Sequence, residues 1–259
     1  MTSLPLVSII IPAYNSGDYI GEALDSLIAQ TYRNWEAIII MAPSTDDTYQ
    51  EIRKRFRPNI HVIREKTKTN CATGRNTGYA ASRGEYVYFN DADDWLEPTC
   101  LEIMVRELEA HPSLSWVVSY QMTHWDDRTY IIDVCPGTHC NIGGIGGTLF
   151  RKECLENVRV TSGQLFNEQL NHTDDGDLVL RTRRYPHKMI PVVLSNYRWN
   201  HGGLTANTHW LNQQWGLSRM LIHRGAWDLL PGNTAIFCII LINETFGIDL
   251  VKIKKRLFR

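Results

Sequence analysis

The stretch "YVYFNDADDWLEP", Tyr86 to Pro98, decides how this chain is read. Four apolar or aromatic residues, Tyr86 to Phe89, run straight into Asp91, Asp93 and Asp94. A continuous apolar run bounded by turn residues reads as a strand buried on both faces, as in a parallel sheet. Carboxylates crowded so closely repel one another, which disfavours charging all of them. A hard cation offsets that repulsion. Mg2+ and Mn2+ take oxygen ligands, often one or two carboxylates completed by substrate phosphates. Alone, an Asp-x-Asp pair reads better as a solvated acidic turn capping the next helix. Its place at the end of a buried strand tips the balance toward a ligand site, with Asp94 capping or supporting from behind.

Working outward, "LVSIIIP", "WEAIII" and "IHVIR" are three further strands. Between them lie helical patterns. In "NSGDYIGEALDSLIAQ", Tyr19, Ile20, Ala23, Leu24, Leu27 and Ile28 recur at helical spacing, with Ser16 or Asp18 as the expected N-cap. "STDDTYQEIRKRF" is a second helix, with Ser44 or Thr45 expected to cap it, and "ATGRNTGYAAS" a third, built of small residues. Strands alternating with helices predict a parallel sheet with helices on both faces. Such sheets bind ligands at the carboxyl ends of their strands, where "PAYN", "MAPS" and "NDADD" all emerge. After Pro98 come a helix, "TCLEIMVRELEAH", a strand, "SLSWVVSYQM", and turn-rich segments to about residue 150. "DDGDLVLRTRR" and "WLNQQWGLSRMLIHRGAWDLL" again look helical. "GGIGGTLF" is not a dinucleotide loop, because its spacing and its place after the first half of the sheet are both wrong.

Composition sets bounds. A chain of 259 residues, 43% hydrophobic and 21% charged, suits one soluble body with a substantial core. A formal net charge of −1 gives no global attraction to nucleic acid, so no nucleic-acid partner is expected. Six cysteines without a Cys-x-x-Cys pair read as reduced thiols in a cytoplasmic protein, with no zinc expected. The first residues read as a strand and not as a leader, and no stretch reaches the length of a membrane span.

Other residues carry chemistry under one reading and structure under another. Tyr14 can stack on a nucleobase and Asn15 can pin the turn, or both are ordinary turn residues. Arg75 is a phosphate partner or a surface charge. Asp174, Asp175 and Asp177 precede a helix, where acids are favoured in any case. Crowding would also raise one of them toward useful basicity. His201, among aromatics and glycines, is a third metal ligand, a phosphate donor or a structural histidine. The basic apolar tail, "TAIFCIILINETFGIDLVKIKKRLFR", is an amphipathic helix on an anionic membrane or a helix packed on the domain.

Taken in order, "VSIIIPAYN", "SLIAQTYRNWEAIII", "STDDT", "GRNTGYAASRGEYVYFNDADDWLEP", "GTLFRKECLENV", "FNEQLNHTDDGDLVLR" and "YRWNH" resemble a family 2 glycosyltransferase, over roughly residues 6 to 205. The resemblance implies the glycosyltransferase A fold: a Rossmann-like, mostly parallel α/β sheet flanked by helices, fused to an irregular acceptor-binding half. Its divisions would be a nucleotide-sugar-binding half at 1–98, an acceptor-binding and catalytic half at 99–215 and a helical tail at 216–259, in one continuous domain. It implies inverting transfer of a sugar from a nucleotide diphosphate donor to a saccharide or lipid-linked acceptor, with Mn2+ or Mg2+. Pro12, Ala13, Tyr14 and Asn15 would line the donor, with Tyr14 on the base; Arg75 would lie beside it. Asp91 and Ala92 would approach the ribose and the metal's water shell. Asp93 would be the direct metal ligand, His201 would complete the metal or diphosphate site, and Asp175, beside Asp174, would be the base. Lipid-linked acceptors would place the protein in the cytoplasm, with peripheral contact at the inner membrane face as one reading of the tail.

One departure stands out. Such proteins usually carry "DDGS" after the second strand, with an acid that reads the base, whereas this chain has Met41-Ala42-Pro43-Ser44. The expected protein is an active enzyme with altered nucleotide choice. The alternative is a non-catalytic nucleotide-binding or scaffold protein on the same fold.

Overall fold

The computed structural model describes residues 4–125, 128–132, 145–160, 163–170 and 173–199. The first half alternates as expected: β1 (Val7–Ala13), α1 (Ile20–Ile28), β2 (Trp35–Met41), α2 (Thr48–Lys54), β3 (Ile60–Arg64), α3 (Cys71–Ala81) and β4 (Tyr86–Phe89). The second half holds β5 (Trp95–Leu96), α4 (Cys100–Ala110), β6 (Trp116–Trp125), β7 (Arg128–Ile132), β8 (Thr148–Arg151), α5 (Lys152–Glu156), α6 (Asp174–Thr182) and β9 (His187–Arg198).

Among the described residues the strands form one sheet in the order β3-β2-β1-β4-β8-β6-β9-β5, with β7 paired to β6. β1 to β4 are mutually parallel. Beyond them the pairing is mixed: β8 runs antiparallel to β4 and β6, β6 lies parallel to β9, and β5 closes antiparallel on β9. β1 to β4 thus form the all-parallel part of the sheet, and the mixed part grows from the β4 edge.

Period-two alternation divides the buried strands between two cores. Ile9, Ile11, Ile39 and Tyr88 pack with Leu24 and Leu27 of α1 and Met104 of α4. Ile10, Val87 and Phe89 pack on the other face with Trp116, Phe150, Phe166 and Leu178. The small residues of α3 have a steric reason. A Cβ on Gly78 would lie 2.4 Å from Ile10 Cγ2 and 2.9 Å from Ile40 Cδ1, so α3 rests directly on β1 and β2.

The expected helix caps are corrected. α1 starts at Ile20 with no side-chain cap. Ser16 serves it through its carbonyl, which accepts from the backbone N–H groups of Tyr19 (3.0 Å) and Ile20 (2.8 Å). At α2 the capping oxygen comes from Asp46, not from Ser44 or Thr45. Asp46 Oδ1 accepts from Thr48 N at 3.1 Å and from Thr48 Oγ1 at 2.6 Å, and its Oδ2 accepts from Gly17 N at 2.7 Å. Ser44 instead joins the first two strand ends, which lie side by side in the sheet.

Among the described residues, Cys71, Cys100 and Cys154 are free thiols, and no helix is long and apolar enough to cross a membrane. The pattern "WLNQQWGLSRMLIHRGAWDLL", the tail at 216–259 and His201 lie outside the described residues.

Candidate active site

The turn after β4 is built by Asn90, a residue the sequence reading passed over. Its N–H donates to Ile10 O at 3.0 Å, fixing it to β1. Its Nδ2 donates to the carbonyls of Asp91 (2.8 Å) and Asp94 (3.1 Å), while Asp94 N closes the turn on Asp91 O at 3.2 Å. Three acids therefore sit on a rigid turn at the carboxyl edge of the sheet. Ala92, between them in sequence, is buried in the core that packs on α1 and α4.

Each acid has its own surroundings. Asp91 is half-exposed, and its Oδ1 accepts from Arg75 Nη2 at 2.8 Å. Asp94 is buried, and its Oδ1 accepts from Arg198 N at 3.0 Å. Burial first, and then the neighbouring Asp93 and Asp91, push its carboxyl well above the usual range. Its contact with Arg198 N ties the turn to the end of β9. Asp93 is partly exposed, and its carbonyl accepts from Arg198 Nε at 3.3 Å. Arg198 also pairs with Glu22 of α1 and lies over the rings of Trp95 (4.6 Å) and Tyr19 (5.3 Å). It thus ties the acidic turn to both β9 and α1. The sequence reading quoted Arg198 within "YRWNH" but took only His201 from that motif.

Arg75 is buried to 5% exposure and bridges the two acidic groups. Its Nη2 reaches Asp91, and its Nη1 donates to Asp174 Oδ2 at 2.8 Å. The close packing of α3 on the sheet, required by Gly78, delivers this guanidinium beneath the strand ends. Burial opposes its charge, but the carboxylates of Asp91, Asp174 and Asp175 outweigh burial and hold it firmly protonated. Its Nε is buried without a partner.

Asp174 and Asp175 open α6. Asp174 is buried against Arg75, whereas Asp175 is half-buried and accepts from Gly176 N at 2.7 Å. Burial raises the Asp175 carboxyl to about 6; Arg75 pulls it down, and Asp174 and Asp91 push it up. α6 is anchored by a buried pair within it, Asp177 and Arg181, joined at 2.9 Å. Arg181 also donates to Val158 O and, at 2.7 Å, to Leu165 O. Asp177 is therefore structural, and only Asp174 and Asp175 face the acidic turn.

The end of β1 supplies the rest of the edge. Pro12 and Ala13 close the strand, and Tyr14 stands 41% exposed with Lys68 Nζ at 3.7 Å from its ring centroid. Asn15 adopts φ 45°, the left-handed region that asparagine tolerates. Its N–H donates to Ser44 Oγ at 3.1 Å, and its Oδ1 accepts from Thr45 N at 2.9 Å. Asn15 thus pins the turn, as its residue type suggested. Met41 and Ala42 are buried, so no acid stands at the end of β2.

The structure therefore brings Arg75, Asp91, Asp174 and Asp175 into one cluster, with Asp93 and Asp94 on the same turn. Among the described residues no three His, Cys, Asp or Glu converge to hold a metal by themselves. The donor set still fits Mg2+ or Mn2+. It is all oxygen and holds one or two carboxylates, the number these ions use when substrate phosphates complete their shell.

Comparison with known proteins now has a site to bear on. A 183-residue stretch is 36% identical to the chondroitin synthase of Pasteurella multocida, covering 69% of this chain and 19% of that protein. The fold matches Staphylococcus aureus TarS, solved with UDP-GlcNAc, at a TM-score of 0.68 and 20% identity, over 83% of this chain and 65% of that one. It also matches the mannosyltransferase PcManGT of Pyrobaculum calidifontis, solved with GDP-Man and Mn2+, at a TM-score of 0.62 and 21% identity, over 90% of this chain and 66% of that one. The chain spans less than two thirds of each of these proteins. The family model for Glycosyl transferase family 2 matches residues 8–164, more than half of the sequence, and the chain belongs to that family.

Proposed function

We propose that this chain transfers a sugar from a nucleotide diphosphate donor to a hydroxyl of a saccharide acceptor, with inversion, in polysaccharide synthesis. The observation that carries the proposal is Asp175: a half-buried carboxylate raised to about 6, next in the chain to Asp174, which Arg75 joins to Asp91 on the turn after β4. A general base works best with a pKa near the working pH, and this one lies far closer to neutrality than an ordinary aspartate.

Each residue then has a role. The exposed ring of Tyr14 is the platform for the base. Asp91 and Asp93 would hold Mn2+ or Mg2+, which supplies Lewis-acid stabilisation to the departing diphosphate. Arg75 holds Asp91 and Asp174 in place and offsets part of the charge of the carboxylates around it. Asp175 takes the acceptor's proton as the acceptor oxygen bonds to the anomeric carbon. The bond from that carbon to the diphosphate oxygen breaks on the opposite face, so one displacement inverts the centre. The relatives support this reading: the Pasteurella protein is a polysaccharide synthase, and the two structural neighbours were solved with nucleotide sugars.

The alternative, a non-catalytic nucleotide binder, rests on Met41 and Ala42. Their replacement of acids touches only the reading of the base and leaves the acidic cluster whole. The test is nucleotide release from UDP-GlcNAc and GDP-mannose, with Mn2+ and with EDTA, for the wild type, Asp93→Ala and Asp175→Asn. Release that needs Mn2+ and is lost in both variants is expected. Binding of UDP or GDP without any release would favour the non-catalytic reading.

A further inference from the structure

Between α5 and α6 lies an irregular stretch in which Leu165 and Phe166 are buried, 1% and 0% exposed. Buried main chain outside helix and strand must find partners for its N–H and C=O groups elsewhere. Here side chains from two helices supply them. Asn76 of α3 meets three of the four groups. Its Oδ1 accepts from Leu165 N at 3.2 Å and from Phe166 N at 2.8 Å, and its Nδ2 donates to Phe166 O at 3.0 Å. The fourth group, Leu165 O, accepts from Arg181 Nη2 of α6 at 2.7 Å. Asn76 Nδ2 also donates to Glu168 Oε1 at 3.0 Å. A carboxamide can donate twice and accept twice, so Asn76 spends its whole capacity on residues 165–168. Asn70, which caps α3, adds a bond from its Nδ2 to Glu168 O at 2.8 Å. Packing makes the same connection. The Phe166 ring lies edge-on to Phe89, with 5.0 Å between centroids, and shares its core with Leu178 and Val179 of α6. α3 therefore grips α6 from two adjacent residues: Arg75 directly on Asp174, and Asn76 through Leu165 to Arg181.

We propose that Asn76 is a positioning residue for the reaction: by fixing Leu165 and Phe166 between α3 and α6, it sets where Asp175 stands relative to Asp91 and Asp93. The proposal rests on the glycosyltransferase reading, with Asp175 as the base. Arg75 meets Asp174 through one nitrogen, a contact that alone would leave α6 free to turn about it. The second grip, through Asn76, removes that freedom. The donor side hangs on other supports. The turns that carry Tyr14, Asp91 and Asp93 are held by Asn15, Asn90 and Arg198. Releasing Asn76 therefore moves the base and leaves the nucleotide's seat in place. Transfer is sensitive to such a movement, since a misplacement of about 1 Å can cost about a hundredfold in rate.

The test uses the whole chain with Mn2+ as wild type, Asn76→Ala, Asn76→Asp, Asn76→Asp combined with Glu168→Gln, and Glu36→Ala. Calorimetry with UDP or GDP counts the sites able to bind and gives their affinity. Nucleotide release from UDP-GlcNAc or GDP-mannose, whichever the wild type turns over, is then expressed per binding site. Asn76→Ala should keep the nucleotide affinity and the donor KM while kcat per site falls about ten- to a hundredfold. Asn76→Asp keeps the two accepted bonds but sets a carboxylate against Phe166 O and Glu168, so its kcat should fall likewise. Adding Glu168→Gln lets an amide at 168 donate to that carboxylate and should restore kcat by about threefold or more. Glu36→Ala is the control for a merely structural loss. It strips buried hydrogen bonds near the amino end of β2, away from the site, so it should lower the melting midpoint and leave kcat per site unchanged. A kcat per site in Asn76→Ala within about twofold of the wild type overturns the proposal, as does a loss that Glu36→Ala matches. If Asn76→Ala binds no nucleotide, the combined variant decides: recovery over Asn76→Asp supports the positioning role, and none overturns it. If no Asn76 variant binds nucleotide, the residue serves folding alone and the proposal fails. A wild type without turnover refutes the glycosyltransferase reading itself, and the positioning role falls with it.

Discussion

Asp175→Asn should inactivate the protein and stabilise it at once. The Asp175 carboxyl is raised from an ordinary 3.8 to about 6, first by burial, with Arg75 opposing and Asp174 and Asp91 adding. The folded chain therefore holds this proton more tightly than the unfolded chain does. The stability from the protonated form is complete below 3.8 and is lost as pH rises through about 6. At 1.36 kcal/mol per pH unit, a gap of about two units sets an upper bound of about 3 kcal/mol on what the charge costs the fold at pH 8. Asparagine has the same shape, carries no charge and keeps an oxygen for Gly176 N, so it removes that cost. For a chain of this size each kcal/mol moves the melting midpoint by about 2–4 °C. The variant should therefore melt higher than the wild type at pH 8, by at most about 6–12 °C, and by no more than about 1–2 °C at pH 4. Scanning calorimetry at both pH values measures the first effect, and nucleotide release from the same samples measures the second. A midpoint at pH 8 that stays put or falls would show that the electrostatic account of Asp175 is wrong. Turnover that survives would show that it is not the base.

Three further outcomes follow from the same geometry. With Mn2+ saturating, turnover at low donor should fall about fivefold from pH 6 to pH 5 and about tenfold over the next unit, since the base must be ionised; a profile flat to about pH 4.5 would mean a base with an ordinary aspartate pKa. Gly78→Ala should cost about 1–3 kcal/mol in urea unfolding, because the added methyl overlaps Ile10 and Ile40; an unchanged midpoint would contradict the seating of α3. Glu36→Ala should cost about 1–3 kcal/mol, since it strips the buried Ser8 hydroxyl and the Arg83 N–H of their shared acceptor. Burial works against the Glu36 charge, but hydrogen bonds from Arg83 and Ser8 win and hold its pKa low, so this contribution should be present at neutral pH and fade in acid.

The legible parts of the fold are those where one physical signal dominates. β1, β2 and β4 are buried on both faces, so their sequences are nearly pure apolar runs. α3 was legible through its small residues, although the reason, a methyl-sized clash with Ile10, needed three dimensions. β5 has two residues, too short to carry a period, and β9 passes from exposed to buried along its length, which blurs the alternation. The caps were misread because several polar residues stand in a row at each helix start, and only the position of Gly17 selects Asp46 among them. In the site, the acids could be found from crowding and strand-end position. The link that organises them could not: Arg75 and Asp174 are 99 residues apart, and no local pattern announces their pairing. Arg198 was missed because its partners, Glu22 and Asp93, lie more than 100 residues away, whereas the bonds of Asn90 to the carbonyls of Asp91 and Asp94 are local turn chemistry that its residue type could have signalled.

The departure at the end of β2 and the intactness of the reaction centre are separable for a structural reason. The loop that lost its acids kept its scaffold. Ala42 N still bonds to Ala13 O at 3.0 Å, Ser44 Oγ donates to Ala42 O at 3.0 Å, and Asn15 is held by Ser44 and Thr45. Nothing in that set passes through a carboxylate, so Met41 and Ala42 can replace acids without moving Tyr14 or the strands beside it. The acids of the cluster hang on a different support, Asn90 and Arg75, anchored to β1 and α3. What the substitution removes is a charged reader of the base edge; what it leaves is an exposed aromatic face. Aromatic stacking is tolerant, because every base presents a π-face, while hydrogen bonds to base edges discriminate. Under the proposed function the chain would therefore keep its chemistry while relaxing its choice of nucleotide.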